Sequence, residues 1–342
     1  MANNTFFRDG TRFEDRYVKF EELSPFITLP GVQPRSLWAW GGGAFGSSGL
    51  GNESNQSSPV QVGSLTDWAT VSAGYRTTIA VKTNNTLWAW GDGFGGRLGL
   101  NNQVSRSSPV QIGSLAAWST ASSGQAHFLA LRNDGSLWVW GFNTSGALGL
   151  NNAINRSSPT QIGSETDWQR IGAGGSASTA IKTDGTLWAW GAGNGGALGL
   201  NSVISHSSPT QVGSLTNWAS VSSTGSGYTV HVMAIKTDGS LWSWGQNGYG
   251  QLGLNSVISH SSPVQVGSLT NWARVSAGYN TTMAIKTDGT LWAWGGGFVG
   301  AFYGGLGLNN TTYFSSPVQV GSLSNWAEIS NGGITSFAIR AG

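Results

Sequence analysis

Six copies of one 50-residue unit run through this chain of 342 residues, so any fold assigned to it must repeat six times. The element L-W-x-W-G begins at Leu37, Leu87, Leu137, Leu187, Leu241 and Leu291. The element S-S-P-[VT]-Q-[VI]-G-S places its proline at Pro59, Pro109, Pro159, Pro209, Pro263 and Pro317. A further tryptophan follows each time, at Trp68, Trp118, Trp168, Trp218, Trp272 and Trp326. Three per unit accounts for all 18 tryptophans, and the spacing stretches to 54 residues in two places.

Each unit reads as four short strands. Residues 68–72 (WATVS) alternate until Gly74 breaks the pattern, and residues 78–83 (TIAVKT) form a β-branched run. Asn84-Asn85 follows, replaced in other copies by Asp-Gly (Asp134-Gly135, Asp184-Gly185, Asp238-Gly239, Asp288-Gly289), which predicts a two-residue hairpin. Residues 87–91 (LWAWG) return, and residues 110–112 (VQI) close the unit after a glycine-rich loop. Four strands repeated six times, with no helical period, predict an all-β, six-bladed β-propeller.

The packing expectation follows from strand periodicity. The two tryptophans of L-W-x-W share one face of their strand. This makes Trp38, Trp40, Trp88, Trp90, Trp138, Trp140, Trp188, Trp190, Trp242, Trp244, Trp292 and Trp294 the predicted core, wedged against Ala and Gly of the next blade. A buried ring removes roughly 150–250 Å² from water, at most about 4–6 kcal/mol each. Trp68 and its equivalents are the tryptophans most open to a second reading, as sugar-stacking platforms.

The repeat begins in the third strand of a unit, at Leu37, and ends in the second, at residues 336–340. Pairing those ends makes one composite blade and closes the ring, which removes exposed sheet edges. The expected organisation is an N-terminal arm, residues 1–36, followed by the propeller, residues 37–342.

Composition narrows the function. Charged residues are only 9 % and Gly is 53 of 342, yet the aromatic content is that of a folded chain. A net charge of +2 is too thin for a nucleic-acid partner. There are no cysteines, the N-terminus lacks the apolar core of a signal peptide, and no run of apolar residues is long enough for membrane insertion. The four histidines, His127, His206, His231 and His260, are scattered, and Asp184, Asp238 and Asp288 belong to turns. The segment Gly93-Phe94-Gly95-Gly96 lacks the Gly-Lys-Ser/Thr of a phosphate loop. The expectation is no enzyme and no cofactor.

Units of the form A-G-x-x-x-T-x-A-I-K-T-D-G-T-L-W-A-W-G-x-G-x-x-G-x-L-G-L-N resemble the repeats of the regulator of chromosome condensation family, over residues 37–342. The resemblance implies a propeller. Eukaryotic members include a seven-bladed nucleotide-exchange factor for a small GTPase with a chromatin-binding tail. Here there are six units and no basic tail, and the His that many family repeats carry after Ala-Gly is His127 in one unit but Thr77, Ala177, Thr281 and Thr335 in others. Exchange activity therefore does not come with the fold. The near-identical, Trp-rich copies look more like bacterial or phage members, which are often structural or surface proteins.

Function in a repeat protein concentrates where the copies differ. The arm holds ten charged residues, five of each sign, together with Phe6, Phe7, Phe13, Tyr17, Phe20 and Phe26, the pattern of a docking segment. A four-residue insertion at residues 222–232 carries Tyr228 and His231, and another at residues 295–306 carries Phe298, Val299, Phe302 and Tyr303. The residue before Ser-Ser-Pro, read as a loop position, varies as Gln56, Arg106, Arg156, His206, His260 and Phe314. The expectation is a phage virion or tail-associated structural protein, anchored to other protein subunits through residues 1–36. The alternatives are an adhesin for a host-surface glycan, located extracellularly or at the cell surface, and a regulator that grips a GTPase or an enzyme with its loops.

Overall fold

The computed structural model describes residues 35–226, 229–296, 306–308, 312–331 and 336–340. They form five four-stranded antiparallel sheets and two two-stranded ones, with short 3-10 turns as the only helical elements among them. In blade 1 the strands are Trp68–Ala73, Thr77–Lys82, Thr86–Gly91 and Arg106–Ala116, hydrogen-bonded in chain order. Blades 2 to 5 repeat this order, starting at Trp118, Trp168, Trp218 and Trp272.

The two remaining sheets are complementary halves of a sixth blade. The N-terminal pair, Trp38–Gly41 with Gln56–Gln61, has the sequence of third and fourth strands. The C-terminal pair, Trp326–Asn331 with Ser336–Arg340, has the sequence of first and second strands. Each half forms its own two-stranded sheet, and no ladder joins them among the described residues. Each packs on the complete blade beside it: Leu37 and Val62 against Trp68 and Trp90, and Ile329 and Trp326 against Met283 and Leu291.

First strands of successive blades touch one another, so they line the axis of the ring and the fourth strands form its rim. A row of serines ties the axis together. The Ser72, Ser122, Ser222 and Ser276 hydroxyls accept from the backbone N–H of Ser123, Ala173, Ala277 and Asn331 in the next blade, at 3.0, 3.0, 3.1 and 2.9 Å. Blade 3 has Gly172 at this position, and there Thr179 donates to the Gly172 carbonyl at 3.2 Å instead.

The tight turn between second and third strands differs from its expected length. Lys182 N–H donates to Thr186 O and Gly185 N–H to Lys182 O, which leaves a three-residue loop, Thr183-Asp184-Gly185. Gly185 takes φ +78° there, the left-handed position of a hairpin closed by a bulge.

Between blades, the second tryptophan of L-W-x-W is sealed in five of the six copies. Trp90, Trp140, Trp190, Trp244 and Trp294 are 0–1 % exposed. Four of them donate their indole N–H across the interface: Trp90 to Ser47 O, Trp190 to Ala147 O, Trp244 to Ala197 O and Trp294 to Gln251 O, at 2.9–3.0 Å. Opposite each stands the glycine of Leu-Gly-Leu (Ser-Gly-Leu in the first copy), where an added Cβ would lie 2.7–2.9 Å from the indole nitrogen (Gly49, Gly99, Gly149, Gly199, Gly253). The wedge of large ring into small residue is therefore as expected.

The first tryptophan of each pair departs from the expected core. Trp38, Trp88, Trp138, Trp188, Trp242 and Trp292 are only half-buried, because they face the rim where neighbouring blades splay apart. Trp40 is 37 % exposed, since its half-blade has no complete neighbour on that side among the described residues. Conversely, Trp68, Trp118, Trp168, Trp218 and Trp272 are buried to within 1–4 % and cannot serve as sugar platforms.

Gly149→Ala should be costly, because φ is +67° and the new Cβ meets the Trp190 indole at 2.9 Å. Gly163→Ala has a similar φ of +57° but open space around it. Urea unfolding should show Gly163→Ala losing about 1–2 kcal/mol and Gly149→Ala roughly 1–3 kcal/mol more. Equal losses would mean that the glycine is required only by its backbone angle.

Candidate partner-binding site

The ladders fix which connections share a face. Ala73, Thr77, Gly91 and Arg106 lie at one end of blade 1, as the pairings Ala73↔Thr78, Thr77↔Gly91 and Gly91↔Arg106 show. The first-to-second and third-to-fourth connections thus emerge together and form a loop face. The second-to-third and fourth-to-first connections form the opposite, hairpin face.

The long third-to-fourth loops are built from inside. Buried Asn143 accepts from Leu148 N–H at 2.9 Å and donates to Asn152 O at 2.8 Å; Asn247 does the same for Leu252 and Ser256. Asn101, Asn151, Asn201 and Asn255 take φ of 55–58°, a conformation asparagine tolerates better than bulkier residues. These loops hold aliphatic side chains out in water. Val104, Ile154, Val203, Ile204, Val257 and Ile258 are 49–69 % exposed in four consecutive blades. Phe94 and Tyr313 extend the row at 62 % and 59 %. Exposed apolar clusters of this kind mark contact sites.

Charge separates the two faces. Among the described residues the loops of the loop face hold two acids, Glu53 and Asp92, and Asp92 is paired with Arg97 at 2.9 Å. The hairpin face holds Asp67, Asp134, Glu165, Asp167, Asp184, Asp238 and Asp288. Four of the last are turn aspartates with a fixed task. Asp184 Oδ1 accepts from Thr186 N–H and Oγ1–H at 2.9 and 2.7 Å, and Thr186 Oγ1 accepts from the Trp188 indole at 2.9 Å. Asp134, Asp238 and Asp288 repeat the relay through Ser136, Ser240 and Thr290 to Trp138, Trp242 and Trp292. The hydroxyl and amide hydrogen bonds hold all four carboxyls below their ordinary pKa.

Each complete blade also seats a cation between two tryptophans set edge to face. Lys82 lies over Trp68 and Trp88, Arg132 over Trp118 and Trp138, Lys182 over Trp168 and Trp188, Lys236 over Trp218 and Trp242, and Lys286 over Trp272 and Trp292. Ammonium and guanidinium groups are attracted to the ring faces there.

His231 does not face a partner. The four extra residues of blade 4 lengthen the hairpin between its first and second strands, with Thr224↔His231 and Ser226↔Thr229 paired, and this buries His231 to 1 %. It pairs with Gly245 as His127 pairs with Gly141, so the two histidines are equivalents that the insertion had concealed. His127 Nε2 meets Ser178 Oγ at 2.9 Å and His231 Nε2 meets Thr282 Oγ1 at 3.0 Å, both across a blade interface. Each hydroxyl donates onward at 2.8 Å, to Ala147 O and Gln251 O, so each imidazole is the donor.

The residues before Ser-Ser-Pro prove to open the fourth strand and are half-buried: Arg106, Arg156, His206, His260 and Phe314 each pair with the glycine of Trp-x-Trp-Gly. Phe6, Phe7, Phe13, Tyr17, Phe20, Tyr228, Phe298, Phe302 and Tyr303 lie outside the described residues. Sequence reasoning missed the exposed aliphatics of the loop face. Their signal was an aliphatic residue recurring two positions before His or Arg, at Val104, Ile154, Ile204 and Ile258.

The geometry defines a repeat propeller whose faces, not its core, are available to partners. The chain belongs to the family described as "Regulator of chromosome condensation (RCC1) repeat", whose model matches residues 36–81, 84–131, 134–181, 184–232 and 238–285. A second model of the same description matches residues 68–97, 119–147, 221–251 and 272–301. No curated protein matches the sequence. Among solved structures, yeast RCC1 (Prp20) bound to Kap60 is similar at 18 % identity and a TM-score of 0.77, over 95 % of this chain and 84 % of that one. Human WBSCR16 is similar at 20 % identity and 0.74, over 89 % and 82 %. Prp20p from Saccharomyces cerevisiae, described with its binding properties to Gsp1p and histones, gives 17 % and 0.59, over 91 % and 93 %. At these identities the superpositions show a shared fold alone.

Burial lowers the pKa of His127 to about 4 and of His231 to about 3, against 6.5 in an unfolded chain. A depressed pKa means that the folded state resists protonation, so the stability it contributes is full above pH 6.5 and is lost as pH falls toward 4. Unfolding followed from pH 7 to pH 4 should show a loss on the order of 3 kcal/mol per histidine. His127→Gln should flatten that slope by about half; an unchanged slope would place the acid sensitivity elsewhere.

Proposed function

We propose that this protein is a non-enzymatic, rigid binding propeller that docks a protein partner on its loop face, as a structural part of a larger assembly. The observation that carries this reading is the row of exposed Val104, Ile154, Ile204 and Ile258 on a face with few acids. Isolated exposed aliphatics are ordinary, but one per blade at the same height makes a continuous contact surface. The described propellers of this family that bind Kap60, Gsp1p and histones support protein binding as the use of the fold. The phage-like uniformity of the repeats supports a virion or tail setting, with residues 1–36 as the anchor.

Ile154→Asp, Ile204→Asp and Ile258→Asp together should leave stability within about 0.5 kcal/mol per site, because these side chains touch mainly water. The triple variant coupled to resin should lose at least tenfold of the partner retained by the wild type from lysate of the native source. Equal retention would sink the loop-face reading. Deleting residues 1–36 should leave propeller unfolding unchanged and remove the chain from purified particles; particles that keep the truncated chain would rule out the arm as anchor.

A further inference from the structure

The five cation boxes are not equivalent. Lys82 has Asp67 at 3.3 Å, and Lys182 has Glu165 at 2.7 Å and Asp167 at 3.4 Å. In blades 4 and 5 the chain has withdrawn those acids. Asn217 and Asn271 stand where Asp67 and Asp167 stand, and Leu215 and Leu269 stand where Glu165 stands. Lys236 and Lys286 are 6 % and 7 % exposed, and among the described residues neither has a carboxylate within salt-bridge distance. Each is pressed to 3.6 Å from the Trp242 or Trp292 ring instead, whereas Lys182 stands off at 4.9 Å from Trp188. The turn aspartate is common to all three blades, so it does not account for the difference.

Solvation tells the same story. Burial lowers the pKa of Lys236 and Lys286, while Glu165 and Asp167 raise that of Lys182 despite its burial. An ammonium kept out of water with only the turn aspartate, beyond salt-bridge distance, to offset it is a cost that a contacting anion would relieve.

Grooves open on the rim beside blades 4 and 5, and Lys286 itself lines one of them. A groove of about 590 Å³ lies between blades 4 and 5, lined by Lys286, Trp292, Trp272, Leu269, Gln265 and Pro317. Its equivalent, about 390 Å³, lies between blades 3 and 4 over Trp242, Trp218, Leu215, Gln211 and Pro263. Aromatic, aliphatic and proline walls fit an apolar side chain, and the amide of Gln offers a backbone contact.

We propose that the groove between blades 4 and 5 binds a peptide segment of a partner protein that places a carboxylate side chain beside an apolar one, the carboxylate supplying to Lys286 the anion that Asp67 and Glu165 supply elsewhere. The apolar walls favour a peptide over an acidic sugar, whose hydroxyls would find few partners among Leu, Trp and Pro. Ile154, Ile204 and Ile258, on which the loop-face reading rests, do not line this groove, so either reading can fail alone.

The chain has only five lysines, Lys19, Lys82, Lys182, Lys236 and Lys286, so ¹³Cε-lysine labelling of the full chain gives a resolvable NMR spectrum, assigned by single Lys→Arg variants. Titration with acetyl-Leu-Asp-Leu-amide should move the Lys286 signal saturably and leave Lys82 and Lys182 in place. Acetyl-Leu-Asn-Leu-amide should bind at least tenfold more weakly. Asn271→Asp, which restores the acid of blades 1 and 3, should abolish the response of Lys286. N-acetylneuraminate moving the same signal and binding more tightly than the peptide would overturn the peptide assignment in favour of an acidic sugar. No movement, or equal movement of all five lysines, would overturn the site itself.

Discussion

Each blade is held by an indole pushed into the backbone of its neighbour. Trp90, Trp190, Trp244 and Trp294 bury their rings and satisfy their one donor on a carbonyl of the preceding unit. That contact demands glycine opposite, at Gly49, Gly149, Gly199 and Gly253, which is why Gly-Leu follows Trp-x-Trp in every copy. A large apolar ring with a satisfied N–H gives both the burial energy and the register of the ring. Few charges are then needed, and the rest of the surface is released from structural duty.

The released surface divides by connection type. Long third-to-fourth loops, braced by Asn143 and Asn247, lift aliphatics on one face. Short Asp-Gly hairpins on the other face spend their carboxylates on orienting a tryptophan. The half-exposed tryptophans that result floor the rim grooves, and the cation over each one is matched by an acid in blades 1 and 3 only. Variation between copies is thus electrical more than steric.

Two of the four histidines and the serines at the axis show how polar groups survive in such a packed ring. The Ser72, Ser122, Ser222 and Ser276 hydroxyls take up backbone N–H groups that face the next blade. His127 and His231 donate to hydroxyls already committed to carbonyls, and burial keeps both rings neutral. Buried groups of this kind are mostly partnered, and His231 Nδ1 is an exception, buried without a hydrogen bond.

The sequence by itself determined the six units, the strands within them, the wedge of tryptophan against glycine and the order in which the chain enters and leaves the ring. All are local or periodic properties, written in the spacing of Trp, Gly and Asp. The tertiary structure decided which tryptophan of each pair is sealed and which opens on the rim, because both share one strand face and only the splay of blades distinguishes them. It also decided that His231 is the partner of His127, because strand register, not residue count, absorbs the insertion in blade 4. The neighbours of Lys236 and Lys286 were equally illegible from spacing alone: a missing carboxylate matters only once folding has removed the water around an ammonium.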